Sequence, residues 1–180
     1  MLSSVEILIL SIIQGVSEFL PISSIAHLVL VSKYYVFNNQ NLLIDICLHL
    51  GSLLAIIIYF RDDLFNFVKN KKFLIKILIG TIPIIPIGYI FFQTGIINQL
   101  RNLEVIGWTS FAFGILLYIS DKTKIKKKIE TDFSNKSAIF IGTFQVLALI
   151  PGVSRSGITI TSGRLLGFSR FDSAKVSFLL

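Results

Sequence analysis

Apolar residues run along this chain in long blocks rather than in the short alternations of a water-soluble domain. Leu42 to Phe60 stays apolar over a length that crosses a bilayer, which takes about 20 residues. Two further blocks follow, so the pattern predicts membrane-spanning helices over 42–60, 77–92 and 104–120, with Pro83 and Pro86 kinking the second. The apolar run over 2–13 is short for a span and leads into Pro21, Ser23 and Ser24. That predicts a helical hairpin over 2–37, with its tip near Pro21–Ser24, a return arm over 25–37 and a polar turn at Asn38–Asn41. A second interrupted stretch predicts another hairpin over 137–167. Residues 171–180 read as the start of a further span in which the chain stops, so a C-terminally truncated chain is expected.

Charge sets the orientation. Arg61, Lys69, Lys71, Lys72 and Lys76 lie between the first and second spans. Lys122, Lys124, Lys126, Lys127, Lys128 and Lys136 follow the third. Loops rich in Lys and Arg stay in the cytoplasm, which places 93–103 outside and lets the two hairpins enter from opposite faces. The expected fold is therefore an all-α integral membrane protein built from inverted-topology repeats with two re-entrant helical hairpins. Residues 1–120 form the first repeat, 121–136 a basic cytoplasmic loop, and 137–180 an incomplete second repeat. Composition agrees: 53% hydrophobic and 15% charged residues, with a mean hydropathy of +0.79, are too apolar for an ordinary soluble domain. The net charge of +7 comes from the loop lysines, a topology signature rather than a nucleic-acid face, and the Lys124–Lys128 run also suits anionic lipid. Cys47 is the single cysteine, which excludes a disulfide framework. The N-terminus lacks the basic region and small-residue cleavage site of a removable signal.

Candidate chemistry concentrates in the two interrupted stretches. Gln14-Gly-Val-Ser-Glu18-Phe-Leu-Pro-Ile-Ser-Ser-Ile-Ala-His27 carries a carboxylate, an imidazole and paired serines in an apolar setting. A charge at bilayer depth costs roughly 2.5–3.5 kcal/mol on insertion scales and marks a functional position by default. The second stretch, Gln145 to Gly157, also runs from Gln through apolar residues to Pro and paired serines, and it carries Arg155. Arginine, hydroxyls, glycines and free N–H groups form an inventory suited to phosphate. The plainer readings stand beside these. Glu18 and Arg155 can be a structural ion pair, His27 an interhelical hydrogen-bonder, and Ser23 and Ser24 partners for backbone freed by Pro21. Asp45 and His49, four residues apart, could bind a metal but read better as an interfacial polar pair, as do Glu6 and Glu104 as interfacial groups.

Those two stretches closely resemble the signature motifs of the bacterial undecaprenyl-diphosphatases, the integral-membrane phosphatases linked to bacitracin resistance. Leu48-His-Leu-Gly-Ser-Leu-Leu-Ala55 and Gly167 to Leu180 are similar to that family as well, so the resemblance covers the whole chain. It implies hydrolysis of undecaprenyl diphosphate to the monophosphate in the bacterial cytoplasmic membrane, recycling the lipid carrier of peptidoglycan. It implies Glu18 as the essential acid, Ser24 and His27 as nucleophile or base, and Arg155 as the phosphate-binding arginine. Gln14, Ser23, Ser154, Ser156 and Gly157 are then substrate contacts, and Glu18 with Gln14 would hold a divalent cation, Mg²⁺ or Ca²⁺. The expected partners are a polyprenyl diphosphate and membrane lipids, with no nucleic acid and a homodimer left open. The prenyl chain would lie along the weakly charged spans 77–92 and 104–120. A lipid-phosphate flippase and an inactive truncated paralogue are the alternatives, since broken helices in inverted repeats are also transporter architecture.

Overall fold

A computed structural model describes residues 3–35, 42–61, 64–65, 70–100 and 102–180. The polar turn expected at Asn38–Asn41, together with Lys69, falls outside the described residues. Regular structure among the described residues is helical, apart from an isolated parallel bridge between Lys127 and Phe168.

The chain opens with helices α1 (Ser4–Ser17) and α2 (Ser24–Tyr34), followed by α3 (Leu42–Tyr59). Ser3 and Glu6 start α1 with a reciprocal capping box, which gives Glu6 a structural task at the helix start. Ser23 starts α2 by accepting from the Ala26 N–H, which makes the turn at Pro21–Ser23 the tip of a helix–turn–helix unit. Both α2 and α3 pack on α1. Next come α4 (Lys71–Thr81), α5 (Ile84–Thr94), the short α6 (Ile96–Leu100) and α7 (Leu103–Asp121). Helix α4 starts six residues before the apolar block begins, because Asn70 caps it at the Phe73 N–H. Its lysines are tolerated there by reaching outward, Lys76 donating to the Phe133 carbonyl. The α4–α5 junction lies at Ile82–Pro83, where proline supplies no N–H to continue the helix. Pro86, expected to add to the kink, instead sits in the first turn of α5, where backbone N–H groups lack intrahelical partners anyway.

The C-terminal part contains α8 (Ile129–Asp132), α9 (Asn135–Gln145), a 3₁₀ turn at Val146–Leu149, α10 (Arg155–Leu165) and α11 (Arg170–Leu179). Helix α10 is the hub, packing on α7, α9 and α11. Helices α9 and α4 approach so closely that a Cβ on Gly142 would lie 2.0 Å from the Gly80 carbonyl oxygen. Beneath them Phe73, Ile77, Phe133, Ile141, Phe168 and Val176 form the apolar core. In the connection from α7 to α9, the buried Arg164 donates to the carbonyls of Asp121, Thr123 and Phe168. Asp132 closes the α8 turn; the Lys128 N–H, and then the Thr131 hydroxyl, hold its carboxyl below the usual carboxylate range.

Polarity is distributed contrary to the rule for water-soluble proteins. Ser156, Thr159, Thr161, Ser162 and Arg164 of α10 are buried, as are Gln14, Ser17, Gln145 and Ser177 elsewhere. Ile85, Tyr89, Ile90 and Phe92 of α5 and Trp108, Phe111 and Tyr118 of α7 are exposed. Lys71–Thr94 and Leu103–Asp121 are each long and apolar enough to cross a membrane. A hydroxyl-rich interior beneath an apolar surface is stable where the surroundings are themselves apolar, since hydroxyl pairs inside then outcompete exposure to hydrocarbon.

Candidate active site

The tips of the two interrupted stretches meet. The Ser156 hydroxyl of the second donates to the Leu20 carbonyl of the first at 3.1 Å, and the space around them is a cavity of about 240 Å³. Its walls carry Glu18, Ser23 and Ser24 from the first stretch, Ser154, Arg155 and Ser156 from the second, and His49 from α3.

Glu18 caps α1 and is the hub of the polar contacts. Its Oε2 accepts from Ser24 Oγ at 2.7 Å and from Gln14 Nε2 at 3.0 Å, and His49 Nε2 lies 3.6 Å away. Its Oε1 faces Arg155 Nη2 at 3.6 Å. Helical spacing explains the Gln14 contact, since residues four apart share a face. Ser24 reaches back because the turn after α1 reverses the chain and places the first residue of α2 beside the last turn of α1.

Arg155 opens α10, and its Nη1 donates to the Ser177 carbonyl of α11 at 2.8 Å. Its Nη2 lies 3.6 Å from Glu18 Oε1, and because a neutral backbone carbonyl aims the guanidinium it keeps donors for a ligand. Ser154 caps α10 through the Gly157 N–H, and the Ser154 and Ser156 hydroxyls are 3.1 Å apart. A helix start, two hydroxyls and an arginine thus face one space, an arrangement that favours an anion.

Glu18, Ser23, Ser24, Ser154, Arg155 and Ser156 are therefore gathered as the sequence suggests. Gln14 lies behind Glu18, and the Gly157 N–H is occupied by Ser154. His27 stands apart. Its Nδ1 lies 2.7 Å from the Ser23 carbonyl, and the exposed ring lines a different cavity of about 180 Å³ bounded by Ser110, Gly114 and Gly152. His49, expected to pair with Asp45 at the interface, is on the cavity wall: its Nδ1 lies 2.7 Å from the Asp45 backbone carbonyl and its Nε2 3.6 Å from Glu18 Oε2. The available clue was its place one helical turn before Ser52, whose hydroxyl contacts Gln14 at 3.5 Å. Among the described residues no group of three or more His, Cys, Asp or Glu side chains is placed to hold a metal ion. The acid at the centre is Glu18 alone.

The model of the bacitracin resistance protein BacA family matches residues 7–180, nearly the whole chain. The chain belongs to the BacA family. An undecaprenyl-diphosphatase of Pelagibacter ubique (strain HTCC1062) is 56% identical over 177 residues, which make up 98% of this chain and 69% of that protein. Undecaprenyl-diphosphatases of Alteromonas mediterranea and Ruegeria pomeroyi are 42% and 37% identical over 97% and 99% of this chain, covering 70% and 72% of their own lengths. Both motif stretches lie within the matched residues, and in the structure they converge on Glu18 and Arg155.

Proposed function

We propose that this chain hydrolyses undecaprenyl diphosphate to undecaprenyl phosphate and inorganic phosphate. The observation that carries the reading is the convergence of Glu18, Ser24 and Arg155 from two distant stretches on one small cavity, in a chain 56% identical to an undecaprenyl-diphosphatase. Phosphoryl transfer asks a protein mainly for positioning and for neutralisation of phosphate oxygens. Arg155 and the Ser154 and Ser156 hydroxyls hold the terminal phosphate. Ser24 is the attacking group that the geometry supports best, because its hydroxyl already donates to a carboxylate able to take the proton. In this reading Ser24 Oγ bonds to the terminal phosphorus, Glu18 receives the hydroxyl proton, and the bridging P–O bond breaks to release the lipid monophosphate. Water then frees the phosphate from Ser24. His27, on the wall of the neighbouring cavity, is the alternative base or nucleophile.

A divalent cation fits the donor set. Gln14 is 1% exposed and its Oε1 is buried without a partner among the described residues, an oxygen available beside the Glu18 carboxylate. Glu18 and Gln14 would hold the ion, which supplies charge neutralisation to the diphosphate. An apolar cavity of about 530 Å³, walled by Phe19, Tyr59, Phe60 and Phe178, begins at the chain neighbours of Glu18 and Ser177 and suits a prenyl chain, which in this reading lies along α3 and α11 rather than along the spans 77–92 and 104–120 expected from hydropathy.

The helix–turn–helix units over α1–α2 and α9–α10 serve, in this proposal, as re-entrant hairpins of an inverted repeat in the bacterial cytoplasmic membrane. Their opposed tips and the lysine-rich loops support that placement. The deciding experiment is phosphate release from undecaprenyl diphosphate in liposomes, with Arg155→Ala as control. Release that vanishes in the control supports the hydrolase. Movement of labelled lipid across the bilayer without phosphate release would replace it with a flippase, and absence of both with an inactive chain.

A further inference from the structure

His49 has one ring nitrogen committed and one free. Nδ1 lies 2.7 Å from the Asp45 carbonyl oxygen, one turn back on α3. A carbonyl only accepts, so Nδ1 carries a proton, and in the neutral form of the ring, the form that binds metals, the lone pair is on Nε2. Nε2 lies 3.6 Å from Glu18 Oε2, on the wall of the cavity assigned to phosphate. In the neutral form of the ring both are donor atoms open to a cation. Ligands of one ion with bonds near 2.1 Å lie about 3 Å apart at the edge of an octahedron, a spacing close to this one. A ring N–H donated to a backbone carbonyl is also how metal-bound histidines are usually held, because it sets the tautomer and aims the other nitrogen.

The remaining neighbours fit. Gln14 Oε1 has no partner among the described residues, and a half-turn of the carboxamide exchanges the Nε2 bonds to Glu18 and Ser52 for that oxygen on the Glu18 side. Ser24 Oγ is 2.7 Å from the same carboxylate oxygen. Arg155 lies on the other carboxylate oxygen, so its guanidinium and an ion at Oε2 stand on opposite sides of Glu18.

We propose that His49 is a ligand of the divalent cation at Glu18, giving the site one nitrogen donor beside its oxygens. This rests on the diphosphatase reading of the same cavity. It carries a consequence for ion choice. Imidazole adds affinity for first-row transition ions such as Co²⁺ and adds little for Mg²⁺, which takes oxygen. The ion expected from the resemblance, Mg²⁺ or Ca²⁺, is then not the one this chain binds most tightly.

The test uses the purified, tag-free chain in detergent, stripped with a chelator and given Co²⁺ or Mn²⁺ without substrate. Bound Mn²⁺ should show ¹⁴N modulation of its electron spin echo. His49→Ala and the near-isosteric His49→Gln should both abolish that modulation, while His27→Ala keeps it. Co²⁺ affinity should fall at least 10-fold in His49→Ala with Mg²⁺ affinity changed less than 3-fold. Modulation that survives in both His49 variants, Mn²⁺ bound without nitrogen coupling, or failure of the wild-type chain to bind either ion would overturn the proposal. Phosphate release is scored separately. Nitrogen-coupled binding without hydrolysis defeats the diphosphatase reading and leaves the site standing, whereas hydrolysis with unchanged ion binding in His49→Ala does the reverse.

Discussion

The two interrupted stretches use similar residues, yet the fold treats them differently. The tip at Pro21–Ile22 is exposed, and Glu18 beside it is held by the side chains of Gln14, Ser24 and Arg155. The tip at Pro151–Gly152 is clamped through its backbone. Thr109 donates to the Pro151 carbonyl at 2.7 Å and Ser110 to the Gly152 carbonyl at 3.1 Å, both from α7. Gly152 adopts φ +93°, and a Cβ there would sit 2.1 Å from Thr109 Oγ1. The stretch that carries the arginine is thus tied through two carbonyls to α7, whereas the tip of the stretch that carries the acid is tied through one, the Leu20 carbonyl that accepts from Ser156. That division suits phosphoryl transfer. Donors aimed at developing charge work best when they need no rearrangement at the moment of reaction. An acid that must accept a proton and admit a cation needs freedom to exchange partners.

The comparison can be broken most directly at its two charges. Arg155→Ala removes the arginine from the cavity wall and should lower phosphate release by about 100- to 1,000-fold, the loss typical of an electrostatic donor. Glu18→Gln should lower it to a similar degree while membrane insertion, followed by protease protection, is unchanged. Retention of full activity by both variants would remove the site. Gly152→Ala tests the clamp. It combines a positive φ with a steric clash, so a cost of about 1–3 kcal/mol is expected, visible as a lower Tm in detergent together with reduced release. No equivalent penalty is expected for Gly15→Ala in the first stretch, where a Cβ meets nothing within 4 Å.

A finer test separates the two candidate attacking groups. Ser24→Ala should cost more activity than His27→Ala, because only Ser24 touches Glu18. The reverse order, read from single-turnover rates, would move the reacting phosphate into the cavity beside His27. Lys126→Ala should have the smallest effect, within about twofold, since that side chain lies exposed on the basic connection, away from the cavity. A large loss there would show that this connection does more than orient the chain.

Local signals in the chain were enough for most of the helices. Block length and punctuation located α3, α7 and the turns at Pro21 and Pro151, because a helix needs continuous apolar length in lipid and proline interrupts it. They misjudged α4, whose start depends on the Asn70 cap rather than on hydropathy, and Pro86, whose effect depends on which turn of a helix it occupies. Glu18, Ser24 and Arg155, which share one cavity wall, were legible as candidates because charges and hydroxyls in apolar stretches are costly.

What the sequence by itself determined is the inventory: which stretches are apolar, where they break, and which few polar groups they carry. Which of those groups meet was decided by tertiary structure alone. His49 joins the cavity because α3 packs along α1, and His27 leaves it because its ring folds back on the Ser23 carbonyl. The reason is geometric. Periodicity states which face of a helix a residue occupies, whereas the neighbour that face meets depends on the packing of helices far apart in the chain.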